Sequence, residues 1–122
     1  MPQVIFDSSF LMAVVEKPTT WFEDITESLG RFDPVVLDCV LAELRRLGSG
    51  DGKKARVARV ALELTRGFKV GKCGGGNADD EIVSAALQSK AAVATGDRQL
   101  ARTLEKVHVR IIELRSGRVF VP

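Results

Sequence analysis

Carboxylates are the main candidates for chemistry among the side chains of this sequence. The 122 residues include 16 Asp and Glu against 18 Lys and Arg, with one histidine, two cysteines and no tyrosine. Cys39 and Cys73 lack the spacing of a zinc site or of a disulfide framework. We therefore expect two free thiols, one buried in a helix and one in a loop. A serine nucleophile would need a nearby base, and the single His108 is remote in sequence, so acid-based chemistry remains.

Two of the acids follow apolar runs that read as strands. Asp7 comes directly after residues 4–6, and Asp97 follows residues 92–94 after a short turn. Parallel strands present their carboxyl ends at one edge of a sheet, where ligands usually bind. The spacing therefore predicts that these two carboxylates lie close together. The alternative for each is an ordinary helix N-cap.

Two further acids border apolar helix faces. Asp79 begins a helix on the side of its apolar stripe, and Glu43 stands three residues after Val40 and four before Leu47. A carboxylate beside a core requires a base, hydrogen bonds or a metal ion. Four such acids predict a Mg²⁺ or Mn²⁺ site that could activate water for phosphodiester cleavage. N-capping by Asp79 and ion pairing by Glu43 are the simpler alternatives.

Strand-like and helix-like segments alternate along the chain. This pattern predicts a single domain over residues 1–122, of the α/β class, with three α/β/α layers and a central parallel sheet of four to five strands. Predicted strands cover residues 4–6, 35–37, 92–94 and 109–114, with shorter candidates at 68–70 and 118–121. Helices are predicted over residues 8–15, 19–29, 38–47, 53–66, 77–89 and 98–106. The glycine-rich residues 71–76 lack the pattern of a phosphate-binding loop and are expected to form a flexible lead-in to the next helix.

The formal net charge of +2 conceals an uneven distribution. Residues 1–43 carry a net charge of −6, residues 44–78 of +7 and residues 79–122 of +1. The basic middle could contact an RNA backbone, or it could be a solvated helix face. We call its exposed cations the basic strip, which comprises Arg45, Arg46, Lys53, Lys54, Arg56 and Arg59.

Four segments in order resemble the PIN domain family of ribonucleases. They are VIFDSSFL at residues 4–11, LDCVLAELRRL at 37–47, ADDEIVSAAL at 78–87 and VATGD at 93–97. The resemblance implies that Asp7, Glu43, Asp79 and Asp97 are catalytic residues and ligands of Mg²⁺ or Mn²⁺. It further implies accessory roles for the following residues: Ser8, Thr95, Asp80 and Gln99.

The resemblance also implies a metal-dependent endoribonuclease. The last two segments are more similar to PIN proteins of ribosomal RNA processing than to the toxins of toxin–antitoxin pairs. A non-catalytic RNA- or protein-binding module and a toxin remain the alternatives. Expected partners are RNA, a second copy of the chain in a homodimer, and an antitoxin or a ribosome-assembly protein. No apolar run approaches a membrane span and no signal peptide is recognisable, so we expect a cytoplasmic protein without membrane contact.

Overall fold

The computed structural model describes residues 1–121, which form six strands and six helices. The strands are β1 (Gln3–Phe6), β2 (Asp33–Leu37), β3 (Lys69–Gly71), β4 (Ala92–Thr95), β5 (Ile111–Arg115) and β6 (Arg118–Phe120). The helices are α1 (Ser8–Glu16), α2 (Trp21–Leu29), α3 (Asp38–Gly48), α4 (Lys53–Leu64), α5 (Ala78–Ser89) and α6 (Arg98–Lys106).

The strands form one sheet in the order β3-β2-β1-β4-β5-β6. β1 to β5 pair in parallel, and helices cover the sheet in two outer layers, which confirms the predicted three-layer α/β/α fold. The parallel part of the sheet has five strands, as predicted, and the strand candidate at residues 118–121 adds β6, which pairs with β5 in antiparallel fashion. Ser116 and Gly117, both at positive φ, make the tight turn between these two strands.

The sheet reverses its strand order between β1 and β4. From β1 the chain continues outward through β2 and β3, whereas from β4 it continues to the other side through β5. The carboxyl ends of two strands at such a reversal leave a crevice between the connections that follow them. In this chain the residues just beyond these two ends are Asp7 and Gly96.

The core anchors the carboxyl end of β1. Phe6 is fully buried, and its ring lies 5.3 to 6.5 Å from the rings of Phe10, Trp21, Phe32 and Phe68. Aromatic pairs at such separations contribute packing energy beyond their buried area. This cluster fixes the position of the strand that leads into Asp7, whereas Phe22 and Phe120 are 47% and 50% exposed.

The prediction of free thiols is wrong, because Cys39 and Cys73 form a disulfide. The two Cα atoms are 6.0 Å apart although 34 positions separate the residues in sequence. The reason is the parallel pairing of β2 with β3, in which Leu37 is the partner of Gly71. Each cysteine lies two residues beyond one of these partners, so both stand at the same edge of the sheet. Within residues 1–121, no helix has the length and apolar character required to cross a membrane.

Candidate active site

An acidic cleft opens at the carboxyl ends of β1 and β4. Its volume is about 430 Å³, and it brings together all four acids predicted from the sequence. Among the described residues 1–121, no Lys or Arg side chain lines it. Its walls are formed by Asp7, Ser8, Ser9, Glu43, Asn77, Ala78, Asp79 and Asp97.

Asp7 lies at the bottom of this cleft and is 5% exposed. Its backbone N–H donates to the carbonyl of Ala94 at 3.0 Å, which extends the pairing of β1 with β4. Its carboxylate Oδ2 accepts hydrogen bonds from the hydroxyls of Ser9 and of Thr95, the latter at 2.9 Å. Burial raises the pKa of Asp7, and these hydrogen bonds offset part of that rise. The carboxylate is thus held in one orientation while burial disfavours its charge.

Ser9, rather than the predicted accessory residue Ser8, is the serine whose hydroxyl contacts Asp7. Its Oγ also lies 3.2 Å from the Thr95 Oγ1 and accepts a hydrogen bond from the backbone N–H of Gly96 at 3.0 Å. Ser8 lines the cleft but acts on Asp7 through its backbone N–H. The sequence Asp7-Ser8-Ser9 predicts a hydroxyl near the acid. Which serine provides it depends on the geometry of the first turn of α1, which directs the hydroxyl of Ser9 to Asp7.

Thr95 links the two strand-end acids. It is 1% exposed, donates from Oγ1 to Asp7 and accepts at the same oxygen from the backbone N–H of Asp97 at 3.0 Å. The Asp97 Oδ1 accepts from the backbone N–H groups of Gln99 and Leu100, at 2.9 and 3.3 Å. Asp97 is therefore an N-cap of α6 and a wall of the cleft at once. Gln99 contributes its backbone, and its side chain is exposed outside the cleft.

The adjacent acids Asp79 and Asp80 have different surroundings. Asp79 lies exposed at the mouth of the cleft. Partial desolvation, followed by the negative charges of Asp7, Asp97 and Glu43, raises the pKa of Asp79. Asp80 instead bonds with Asn77 on the first turn of α5: its N–H donates to Oδ1 at 2.9 Å and its Oδ2 accepts from Nδ2 at 3.0 Å. Asp80 is therefore bound to the cap outside the cleft lining.

Glu43 reaches the cleft from the middle of α3. It is half-buried, and its charge contributes to the raised pKa of Asp79 on the opposite wall. The buried face of α3, which includes Val40 and Leu44, fixes the helix against the rest of the core. The glutamate follows Val40 by three positions, so it stands at the border of that face as the sequence predicted.

The glycine-rich segment before α5 is fixed by several contacts, contrary to the expected flexible lead-in. The N–H of Cys73 donates to the Asp38 Oδ1 at 3.0 Å, in addition to the disulfide that Cys73 forms with α3. The N–H groups of Gly74 and Gly76 both donate to the carboxylate of Glu81. These contacts determine where α5 begins and therefore where Asp79 stands.

The basic strip is only partly free to bind a ligand. The Arg59 Nη1 donates to the carbonyl of Gly48 at 2.7 Å and to that of Gly50 at 3.4 Å, so this guanidinium closes the carboxyl end of α3. This contact agrees with the favourable interaction of cations with helix carboxyl ends. The remaining members of the strip are exposed, on the last turn of α3 and on α4: Arg45, Arg46, Lys53, Lys54 and Arg56.

Comparisons with known proteins agree with the fold. A family model described as PIN-like domain matches residues 4–117. The rRNA-processing protein FCF1 of Saccharomyces cerevisiae is 31% identical over 111 residues, which is 86% of this chain and 55% of that protein. The chain thus spans about half the length of this curated relative.

Two solved structures are similar. One, described as the PIN domain endonuclease Utp24, has a TM-score of 0.80 and 29% identity, and the match covers 98% of this chain and 90% of that one. The other is described as VapBC2 from Rickettsia felis bound to a DNA fragment from its own promoter. It has a TM-score of 0.67 and 14% identity, with 91% and 98% of the two chains covered. At that identity the second likeness concerns the fold alone.

Proposed function

The chain belongs to the PIN-like domain family, and from that membership we propose that it is a metal-dependent endoribonuclease that hydrolyses RNA phosphodiester bonds. We assign one or two Mg²⁺ or Mn²⁺ ions to the site, with Asp7, Glu43, Asp79 and Asp97 as the ligands that hold them. The observation that carries the proposal is the acidic cleft. Four carboxylates from four separate segments face one depression that no Lys or Arg of residues 1–121 lines.

The donor set suits a hard divalent cation. Carboxylate oxygens are the preferred ligands of Mg²⁺ and Mn²⁺, and negative charges gathered without bases repel one another unless a cation is present. Desolvation is the largest cause of the raised pKa of Asp79, and repulsion from the charges of Asp7, Asp97 and Glu43 raises it further. When bound, the ion would lower the pKa of a coordinated water and stabilise charge on the phosphate oxygens.

The four acids form an open set. Within residues 1–121, the cleft acids include no three ligand atoms that all lie within 4.8 Å of one another. Asp38, Cys39 and Cys73 do form such a group, but their two sulfurs are joined in the disulfide. Mg²⁺ ordinarily keeps several waters and binds proteins through one or two carboxylates. An open cleft of about 430 Å³ therefore fits a hydrated ion and a phosphate group together.

The protein side chains divide the remaining work. Ser9 and Thr95 hold Asp7, so that the orientation of its carboxylate does not have to be established when substrate arrives. Such preorganisation reduces the reorganisation required during reaction. Asp97 is held by its capping role, and Asp79 is exposed where substrate enters. The exposed cations of the basic strip would neutralise RNA phosphates outside the cleft.

We infer that the RNA is a precursor of ribosomal RNA. The support is the similarity to a protein described as rRNA-processing and to a PIN domain endonuclease, at 31% and 29% identity. The similarity to VapBC2 is at 14% identity and supports a shared fold, not a shared function. A ribosome-assembly protein is accordingly a better candidate partner than an antitoxin. The homodimer and the cytoplasmic location remain predictions.

The adjacent aspartates provide a sharp test of the site. Asp79→Asn and Asp80→Asn each remove one negative charge from the first turn of α5, but only Asp79 lines the cleft. Purified protein is incubated with a labelled RNA that contains single-stranded and hairpin segments, with Mn²⁺, Mg²⁺ or EDTA. We expect metal-dependent cleavage that Asp79→Asn lowers at least a hundredfold and Asp80→Asn lowers less than threefold.

Calorimetric titration with Mn²⁺ provides an independent readout. Wild type and Asp80→Asn should bind the ion, whereas Asp7→Asn should bind it at least tenfold more weakly. RNA binding without divalent-ion binding would replace the proposal with the non-catalytic RNA-binding alternative. Equal loss of cleavage in both aspartate variants would show that the charge of α5, rather than the cleft, matters.

A further inference from the structure

A second groove begins at the acidic cleft and continues between α6 and the β5–β6 hairpin. Its first part, of about 240 Å³, is lined by the residues that connect β4 to α6 and by the end of β5 with its turn: Thr95, Gly96, Asp97, Arg98, Ala101, Glu113, Leu114, Arg115 and Ser116. Its second part, of about 270 Å³, shares Arg98, Ala101, Glu113 and Arg115 and adds Arg102 and Glu105. Asp97 lines both the acidic cleft and the first part, so the two depressions adjoin.

Three arginines make this arginine groove different from the cleft beside it. Arg98 and Arg102 are exposed and stand four residues apart on α6, so they occupy one face of the helix about 6 Å apart along its axis. Arg115 stands on the opposite wall, on β5. Three acids, Asp97, Glu105 and Glu113, also line the groove and equal the arginines in number. The net positive charge therefore lies in the second part, where three arginines stand beside two glutamates.

Arg115 is oriented by the hairpin. Its Nε and Nη2 each lie 3.0 Å from the Glu113 Oε2, and its guanidinium carbon lies 5.6 Å from the centre of the Phe120 ring. A guanidinium has five N–H donors in a fixed fork, so pairing with one carboxylate oxygen leaves donors for a second anion. The turn that forms β6 therefore presents a preoriented cation at the wall of the groove.

We propose that the arginine groove binds the phosphates of the RNA strand on one side of the cleaved bond. The inference rests on the proposed ribonuclease function and adds the path of the substrate. Four carboxylates repel a polyanion, so cations next to the cleft are required to hold the strand across it. Arg98 directly follows Asp97, and Arg102 lies one helical turn further out, a separation similar to that of successive phosphates on one strand.

The test compares two double variants that remove the same charge. Arg98→Ala with Arg102→Ala removes both guanidinium groups from the α6 wall of the groove. Lys17→Ala with Arg31→Ala removes two exposed cations beyond the end of α1 and before β2, away from the carboxyl edge of the sheet. Both are combined with Asp7→Asn, and binding of a fluorescein-labelled single-stranded RNA is followed by anisotropy at increasing KCl concentration.

The groove variant should bind RNA at least tenfold more weakly at low salt, and the slope of log affinity against log salt should decrease by about 1.4, because each single-strand phosphate contact contributes about 0.7. The control variant should keep the affinity within twofold. Equal losses of RNA affinity in the two variants would mean that net charge alone causes the effect, and they would overturn the assignment. An unchanged salt slope in the groove variant would overturn it as well.

Cleavage kinetics assign the side of the bond and separate this inference from the function on which it rests. In an otherwise active protein, the groove variant should raise KM about tenfold with kcat nearly unchanged, because these arginines contact the strand away from the reacting phosphate. The increase should appear only with substrates extended on one side, 5′ or 3′, of the cleaved bond. A wild type that does not cleave RNA would refute the function, whereas normal cleavage with an unaltered KM in the variant would refute the groove alone.

Discussion

The hydroxyl of Ser9 donates a hydrogen bond to the carboxylate of Asp7 and accepts one from the backbone N–H of Gly96. One side chain therefore connects the end of β1 to the turn that follows β4. Thr95 makes the parallel connection from within β4, since its hydroxyl donates to Asp7 and accepts from the N–H of Asp97. The two hydroxyls hold the deepest acid and the turn carrying Asp97 as one unit.

This relationship predicts unequal effects of substituting the two adjacent serines. Ser9→Ala removes a hydrogen bond to a buried carboxylate and a partner of Gly96, so we expect cleavage of RNA to decrease about tenfold and the free energy of unfolding to fall by about 1–2 kcal/mol. Ser8→Ala should change either quantity little, because Ser8 contacts Asp7 through its backbone. Steady-state kinetics and urea denaturation of the two variants measure this difference. Equal effects would contradict it.

The disulfide gives a second prediction. The Cys39–Cys73 bond closes a loop of 34 residues and fixes the segment that leads to α5. Loop closure of this length is expected to stabilise the fold by about 3–4 kcal/mol through the unfolded chain. Reduction with dithiothreitol should therefore lower the urea midpoint of the wild type. A double variant, Cys39→Ser with Cys73→Ser, should have the lower midpoint with and without the reductant, and a midpoint of the wild type that does not respond to reduction would contradict the expectation.

The position of acids after predicted strands was enough to predict the candidate site from the sequence alone. Asp7 and Asp97 come close because β1 and β4 are neighbours in a parallel sheet, and an acid after an apolar run is visible without coordinates. Two features were not accessible in this way. The contact of Cys39 with Cys73 depends on the register of β2 against β3, and the choice of Ser9 over Ser8 depends on the direction of each side chain at the start of α1.

Two arginines of the basic strip are expected to differ in role, one stabilising the fold and the other binding RNA. Arg59 donates to the carbonyls of Gly48 and Gly50, whereas Arg56 is exposed on the same helix. We expect Arg59→Ala to lower the free energy of unfolding by about 1–2 kcal/mol, since it leaves the carboxyl end of α3 without its cation. Arg56→Ala should keep the stability of the wild type and weaken RNA binding. Thermal denaturation and anisotropy of both variants distinguish the roles, and the same profile in both would contradict them.

The last prediction concerns the cost of gathering the acids. Burial raises the pKa of Asp7, and desolvation with neighbouring charges raises the pKa of Asp79. Each folded-state pKa therefore exceeds its unfolded value, so the folded protein binds more protons and its stability decreases as pH rises between the two values. Without divalent ions, the contribution of these two groups to the free energy of unfolding should therefore decrease as pH rises from about 4 toward neutrality.

Asp7→Asn isolates that contribution. The amide fills almost the same volume and carries no charge, so we expect the variant to be more stable than the wild type at pH 7 without metal, by about 1 kcal/mol, a common size for a single substitution. Mn²⁺ should reverse the order, because a bound ion stabilises the wild type in proportion to its occupancy. Urea denaturation at pH 5 and pH 7, with EDTA and with Mn²⁺, gives four values for each of the two proteins. A wild type that is the more stable protein in EDTA at pH 7 would mean that hydrogen bonds from Ser9 and Thr95 already compensate the buried charge.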